Sequence, residues 1–251
     1  MQDARNYVMT VAGLDPSGGA GILADIKTFE QHRVYGLSVC TASTLQTADT
    51  FHAIRWTPLH EVLRDIDTLM EAYPINVVKT GIVPSFQYLS EIIHLIKKKN
   101  PTAKIVVDPV LRSSTGFTFV TPGEKTKLEK LLRLVYLLTP NAHEVQVLTE
   151  DVDSIRGAQQ LSRYCNVLLK GGHLDDAHHF VDHLFIKGEA HAITGSNKKT
   201  SAKHGSGCVL SAAIAANLTR GLSLAQSCFE GKAYTEKFLS SNTSLLGYHY
   251  A

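Results

Sequence analysis

Hydrophobic and polar positions follow two alternating patterns along this chain. Short apolar, β-prone runs that end at a glycine or a polar residue are typical of buried strands. Between them lie stretches with apolar residues every three or four positions, which is typical of helices packed on one face. The predicted strands are residues 7–13, 34–41, 51–56, 76–82, 104–110, 135–139 and 166–172, with a hairpin of residues 181–185 and 190–194. The predicted helices are residues 22–31, 58–73, 85–99, 128–134, 209–218 and 223–240, with another that begins at residue 140.

This alternation predicts the fold class. At least five strand-then-helix units follow one another, and no linker-like or low-complexity segment separates them. Strands alternating with helices predict a parallel sheet that is covered by helices on both faces. The hairpin would add a small antiparallel part. We therefore expect one α/β domain over residues 1–251, a three-layer α/β/α sandwich with a largely parallel central sheet.

Composition and charge exclude several classes of protein. The 251 residues are 44% hydrophobic and 19% charged, with a formal net charge of +2, so nothing indicates binding to nucleic acid or to a membrane surface. No apolar run reaches the length of a membrane span, and the N-terminus lacks a secretory signal pattern. The four cysteines are dispersed without a CxxC pair, which argues against a zinc site or a disulfide framework. We expect a cytoplasmic protein.

The most apolar predicted helix, residues 209–218, begins after a glycine-rich segment. The first amides of a helix have no partner within it, and partial positive charge collects there. Gly205, Ser206 and Gly207 would let an anion approach this backbone, which predicts a hole for a phosphoryl group. Cys208 follows in the first turn, where the pKa of a thiol tends to be lowered, so it is a candidate base. Alternatively, the glycines only cap a core helix and Cys208 is a small buried residue.

A second glycine-rich segment follows the first predicted strand and contains Gly18, Gly19 and Gly21. Three glycines in four residues are more than a tight turn requires, so we expect the backbone to approach a small ligand. Asp25, in the next helix, would face either that ligand or solvent. Gln46 carries a donor and an acceptor on one planar amide, which suits the edge of a heterocyclic base, although a lone glutamine is more often a surface residue.

Three polar residues are candidates for a phosphate or metal site. Asp108 lies at the carboxyl end of an apolar strand, where a buried charge needs a partner such as a metal ion, or else only forms a turn. Asn141 and Glu144 share one face of a first helical turn, where a capping pair is favoured over a pair that holds Mg²⁺. Residues 173–183 hold four histidines and three aspartates, but without regular ligand spacing a surface loop is favoured over a metal site.

Taken in order, these segments resemble the ribokinase-like superfamily and, within it, the hydroxymethylpyrimidine/phosphomethylpyrimidine kinases of thiamine biosynthesis. The resemblance covers most of the chain and is carried by the motifs AGLDPSGGAGILADIKTF, VYGLSVCTASTLQT, VVDPV, LTPNAHEV, LLKGGH and HGSGCVLSAAIAANL. It implies a ribokinase-like fold, a homodimer, and phosphorylation of a hydroxymethyl aminopyrimidine and its monophosphate with ATP and Mg²⁺. Pyridoxal kinases share the Gly-x-Gly-Cys ending and are the nearest enzymatic alternative, and a non-catalytic pyrimidine-binding sensor is the alternative of another class.

The resemblance also implies roles for the candidate residues. Cys208 stands where sugar-kinase relatives place a catalytic aspartate, and would therefore take the proton of the substrate hydroxyl. Ser206 replaces the usual threonine, and residues 111–114 lack a lysine that many members carry there. The implied sites are Gln46 with Gly18, Gly19, Gly21 and neighbouring Asp25 for the pyrimidine; Asp108 and Glu144 for the metal; Asp108, Asn141, Lys170 and Gly172 for nucleotide and phosphates; and Gly205, Ser206 and Gly207 for the anion hole.

Overall fold

One mixed sheet of nine strands organises the part of the chain that the structure describes. The structure is a computed structural model, and it describes residues 5–110, 125–171, 181–195 and 201–250. The strands are β1 (Tyr7–Leu14), β2 (Tyr35–Gln46), β3 (Phe51–Trp56), β4 (Val77–Thr80), β5 (Lys104–Val107), β6 (Leu137–Leu138), β7 (Asn166–Leu169), β8 (Val181–Ile186) and β9 (Glu189–Thr194). The helices are α1 (Gly21–Gln31), α2 (Leu59–Ala72), α3 (Phe86–Lys99), α4 (Lys125–Leu132), α5 (Ala142–Thr149), α6 (Ser154–Leu161), α7 (Ser206–Thr219) and α8 (Leu224–Leu239).

The strand order is β3-β2-β1-β4-β5-β6-β7-β8-β9, and it places a topological switch between β1 and β4. Strands β2, β1, β4, β5, β6 and β7 pair in parallel, whereas β3 pairs antiparallel to β2 and β8 pairs antiparallel to β7 and β9. The predicted parallel sheet with small antiparallel additions is therefore confirmed. In open α/β sheets ligands bind at the carboxyl ends of the strands beside such a switch.

Side-chain alternation along the strands divides the core into two layers. One layer faces α1, α7 and α8, and the other faces α2 to α6. Because alternate residues of a strand point to the same face, the residue two positions beyond each apolar residue of the first layer also faces α7. On β1, β4, β5, β6 and β7 the residues of that first layer are Val8, Val77, Val106, Leu137 and Leu168. The residues two positions beyond them are Thr10, Lys79, Asp108, Thr139 and Lys170.

Two helices show where the sequence pattern succeeded and where it was incomplete. Helix α7 is buried along its whole length from Val209 to Leu218, as the run of small and apolar residues predicts. Helix α6 was not predicted, although Asp153 caps it by accepting hydrogen bonds from the amides of Ile155 and Arg156. The expectations for Gly172, residues 111–114 and residues 173–180 lie outside the described residues. In the described part of the chain, no helix is both long and apolar enough to cross a membrane.

Candidate active site

Two glycine-rich loops meet at the carboxyl end of β1. The loop after β1 contains Asp15, and the loop before α7 contains His204, whose Nε2 lies 2.8 Å from Asp15 Oδ2. Gly205 has a φ of 79°, and a Cβ on it would clash with the carbonyl group of Gly19. The loops therefore touch along their backbones, and glycine is required where they are closest.

The Asp15 carboxylate holds the first loop in shape. It accepts hydrogen bonds from the Ser17 amide at 2.9 Å, the Ser17 hydroxyl at 2.8 Å and the Ala20 amide at 2.9 Å. Burial acts to raise the pKa of Asp15, but the bonds from Ser17, His204 and Ala20 hold it below its usual value. The carboxylate is thus fixed in its ionised form between the two loops.

The N-terminus of α7 is open to an anion. Gly205 is the N-cap and has no side chain with which to cap the helix, so within the described chain the amides of Ser206, Gly207 and Cys208 are left without a side-chain N-cap. A Cβ on Gly207 would lie 3.5 Å from Lys170 Nζ. The amides therefore stand beside a lysine, a combination that suits a phosphoryl group.

Lys170 bridges the carboxylates of Asp108 and Glu144. Its Nζ lies 3.1 Å from Asp108 Oδ1 and 3.8 Å from Glu144 Oε2. Burial acts to raise the pKa of Asp108, but Lys170 and then Lys79 hold it below its usual value. Asp108 Oδ2 also accepts a hydrogen bond from Ser211 on α7 at 3.3 Å. A lysine and two carboxylates thus lie beside the uncapped N-terminus of α7.

Asn141 and Glu144 form the capping pair that the spacing favoured. The Glu144 amide donates to Asn141 Oδ1 at 2.8 Å, and the Asn141 amide donates to Glu144 Oε2 at 2.7 Å. This reciprocal capping box stabilises the start of α5. Because it fixes the Glu144 side chain, the cap also presents the second carboxylate to Lys170.

The environment of Cys208 corrects an expectation from the sequence. Cys208 is half-buried in the first turn of α7. Desolvation raises the pKa of its thiol to about 11, because burial and the carboxylates of Asp25 and Asp108 outweigh the Lys79 ammonium and a hydrogen bond from the Gly21 backbone. The expected lowering of this pKa by the helix N-terminus is therefore wrong, and the resting thiol is neutral.

Asp25 also departs from expectation. Its side chain is fully buried, with Lys79 Nζ 2.7 Å from Oδ2 and 2.9 Å from Oδ1. The Thr10 hydroxyl donates to Oδ2 at 2.6 Å. Asp25 faces neither solvent nor an open cleft, so we reassign it from substrate contact to the support of Lys79. Sequence reasoning missed Lys79, and the one signal that could have found it is a charge inside an apolar strand.

Gln46 lies at the last position of β2, in the hairpin that β2 forms with β3. It is partly exposed and pairs with Phe51 across the hairpin. The Thr44 hydroxyl donates to the Leu14 carbonyl at 3.0 Å, which ties this end of β2 to the end of β1. Gln46 therefore projects from the same edge of the sheet as the first glycine loop.

Comparison with known proteins places these features in a family. The sequence model of the family described as phosphomethylpyrimidine kinase matches residues 15–251 of this chain. The chain belongs to the phosphomethylpyrimidine kinase family. The hydroxymethylpyrimidine/phosphomethylpyrimidine kinase THI20 of Saccharomyces cerevisiae is 34% identical over 91% of this chain and 45% of the yeast protein. This chain thus spans less than half the length of several relatives that it matches.

Solved structures agree with the family and with the fold. The phosphomethylpyrimidine kinase of Clostridium difficile has a TM-score of 0.74 and 34% identity, over 91% of this chain and 96% of the other. The pyridoxal kinase of Staphylococcus aureus in complex with AMP-PCP and pyridoxal has a TM-score of 0.81 and 25% identity, over 97% and 92% of the two chains. The ribokinase-like fold expected from the motifs is therefore confirmed.

One further buried charged group lies near this candidate site. Asp182 lies at the end of the histidine-rich stretch expected to form a surface loop and also in the strand predicted over residues 181–185, and the structure makes it a buried residue of β8. Its Oδ1 accepts a hydrogen bond from the Gly171 amide at 2.7 Å, and its Oδ2 lies 3.0 Å from Lys232 Nζ on α8. Asp182 thus fixes the backbone that follows Lys170. The apolar alternation around it was the signal that could have separated it from the loop.

Proposed function

We propose that this chain is a kinase that transfers the γ-phosphoryl group of ATP to a hydroxymethyl aminopyrimidine and to its monophosphate. Family membership and the kinases named among its relatives support the reaction class. The observation that carries the proposal is the uncapped N-terminus of α7, with Lys170 beside Gly207 and Cys208 one position further along. Such a site can hold a phosphoryl group next to a candidate base.

In this proposal the reaction is an in-line transfer that depends on positioning and charge stabilisation. The amides of Ser206, Gly207 and Cys208 hold the phosphoryl group in flight, and Lys170 neutralises part of its charge. Gln46 and the loop of Gly18, Gly19 and Gly21 hold the pyrimidine. Because these glycines have no side chains, the pyrimidine ring can approach the loop backbone closely, and its hydroxymethyl group can then reach the proposed anion hole.

Cys208 is the proposed acceptor of the hydroxyl proton. Because its thiol is neutral at rest, only a small fraction, about 10⁻⁴ for a pKa near 11, is thiolate at pH 7. The loose transition state of phosphoryl transfer places little demand on the nucleophile before the bond to phosphorus forms. A base that is ionised only in part can therefore serve, at a rate that rises with pH.

The carboxylates fit a magnesium ion that arrives with the nucleotide. Within the described residues, no cluster of three or more His, Cys, Asp or Glu side chains offers a ready cage for a metal. Mg²⁺ is usually bound through one or two carboxylates together with substrate phosphates. Asp108 and Glu144, which share Lys170, would hold it in that way. When bound, the ion would neutralise charge on the phosphates.

Comparing products tests the proposal and its enzymatic alternative. The hydroxymethyl aminopyrimidine, its monophosphate and pyridoxal are offered side by side with ATP and Mg²⁺, and the products are identified by mass spectrometry. We expect the monophosphate from the first substrate and the diphosphate from the second, with a higher kcat/KM than for pyridoxal. Preferred phosphorylation of pyridoxal would support the alternative that the Staphylococcus aureus neighbour suggests. If ATP is not consumed with any of the three, the chain is not this kinase.

A further inference from the structure

A buried ion pair lies on the α7 side of the sheet, below the proposed site. Lys79 on β4 and Asp25 on α1 are both fully buried, and two short contacts of 2.7 and 2.9 Å join them. Thr10 on β1 donates to Asp25 at 2.6 Å. The carboxylate thus has three contacts that fix its position, and it fixes the ammonium in turn. Burying such a pair costs free energy, which indicates a role for it other than stabilising the fold.

The direction of the Lys79 side chain indicates that function. Lys79 has the same strand parity as Val77, which packs in the layer under α7. Its Nζ lies 3.4 Å from the position a Cβ on Gly81 would take, so the side chain runs toward the carboxyl end of β4. That end adjoins the carboxyl end of β1, where Gly205 at the start of α7 contacts Gly19 and Cys208 follows in the first turn. The ammonium therefore lies under the start of α7.

Asp25 is tied to the same cysteine through α1. It lies one helical turn after Gly21, the first residue of α1, whose backbone acts to lower the pKa of Cys208. The charged groups close to the sulfur are Lys79 on β4, Asp25 on α1, Asp108 just after β5 and Lys170 just after β7. Lys79 and Lys170 are the cations among these four, and Asp25 pairs with Lys79.

We propose that Lys79 is a positioning residue for Cys208, whose buried ammonium, fixed by Asp25, stabilises the negative sulfur that forms when the substrate hydroxyl gives up its proton. The inference rests on the proposed function, because it takes Cys208 as the base. It adds a second task for the ion pair. Asp25 holds the Lys79 ammonium in place, and its negative charge also limits how much the ammonium stabilises the charged sulfur. Removing the Lys79 charge should therefore raise the pKa of Cys208, and removing the Asp25 charge should lower it.

Alkylation of the ligand-free protein tests this without any turnover. Iodoacetamide reacts with the thiolate, and peptide mass spectrometry reports the rate at each cysteine between pH 7 and 10. For Lys79→Met we expect Cys208 to react about tenfold or more slowly than in wild type, since an adjacent opposite charge shifts a pKa by about one unit or more. For Asp25→Asn we expect faster reaction. A wild-type rate in Lys79→Met would overturn the proposal.

Internal and matched controls distinguish a local change in Cys208 reactivity from unfolding of the protein. Cys165 and Cys228 are buried and report loss of structure by becoming reactive. Lys232→Met breaks another buried ion pair, with Asp182, and should leave the Cys208 rate unchanged. If Lys79→Met unfolds, the double variant Lys79→Met/Asp25→Asn leaves neither charge unpaired. It should react more slowly than wild type, and an equal or faster rate overturns the proposal.

A kinase assay of the same variants separates this inference from the proposed function. We expect Lys79→Met to lower kcat and to leave the KM for the pyrimidine unchanged. If wild type phosphorylates none of the three compounds while the alkylation rates still move in opposite directions, the proposed function fails and the pairing of Lys79 with Cys208 stands. If wild type is active and kcat is unchanged in a folded Lys79→Met variant, the pairing has no part in catalysis.

Discussion

Gly207→Ala should disturb the proposed anion hole without lowering the stability of the fold. A Cβ on Gly207 would lie 3.5 Å from Lys170 Nζ and 3.8 Å from Asp108 Oδ2, which are ordinary van der Waals distances. Gly207 lies in the first turn of α7, where alanine is favoured over glycine by up to about 1 kcal/mol. For a chain of this size such a gain raises Tm by roughly 2–4 °C. The substitution should therefore leave the protein at least as stable as wild type.

The same methyl group would enter the space between the start of α7 and the Lys170 ammonium, where the phosphoryl group is proposed to bind. Removing one hydrogen-bond donor from a hole of this kind costs about 10²–10³ in kcat, or roughly 3–4 kcal/mol of barrier. We therefore expect Gly207→Ala to lose at least about 100-fold in kcat while its Tm stays at or above the wild-type value. Thermal unfolding and steady-state kinetics with the hydroxymethyl aminopyrimidine measure the two quantities.

Two other glycines provide matched controls. Gly221 has a φ of 88° and no atom within 4 Å of an added Cβ, so Gly221→Ala should cost about 1–2 kcal/mol of stability and leave kcat unchanged. Gly205→Ala adds a backbone clash with Gly19 and should lose more stability than Gly221→Ala. Wild-type kcat in Gly207→Ala would refute the placement of the phosphoryl group. A fall in its Tm as large as that of Gly205→Ala would refute the packing argument.

Three further predictions follow from the site. Cys208→Ala should bind the pyrimidine normally, as calorimetry would show, while kcat falls about 10²- to 10⁴-fold; undiminished turnover would remove Cys208 as base. With the Cys208 pKa at about 11, wild-type kcat should rise up to tenfold per pH unit from about pH 7 to 9, and a flat profile would contradict proton transfer to the sulfur. The pKa of Asp15 is lower in the folded protein than the unfolded value of 3.8. Its carboxylate therefore stabilises the fold at pH values above 3.8, and this stabilisation is lost as the pH falls through the folded pKa. Asp15→Asn should therefore lower Tm at pH 7 and much less at pH 3, and an equal loss at both would contradict this account.

The sequence by itself determined those features that depend on neighbouring residues. Strand and helix identity follows from apolar spacing, and the capping box of Asn141 and Glu144 follows from their separation by three positions. The uncapped start of α7 is local as well, because a helix N-terminus with glycines at its start leaves its amides free wherever the helix lies. Each of these features depends on residues that lie within a few positions of one another, so the sequence predicts it directly.

Only the tertiary structure decided how the site is charged. Lys79 and Asp25 are 54 residues apart, and Asp15 and His204 are 189 apart, so no local pattern pairs them. The pKa of Cys208 depends on burial and on charged side chains from several different elements, which raise it to about 11. Desolvation and Coulomb energies depend on distance in space, which the sequence leaves open until the sheet order brings β1, β4, β5 and α7 together.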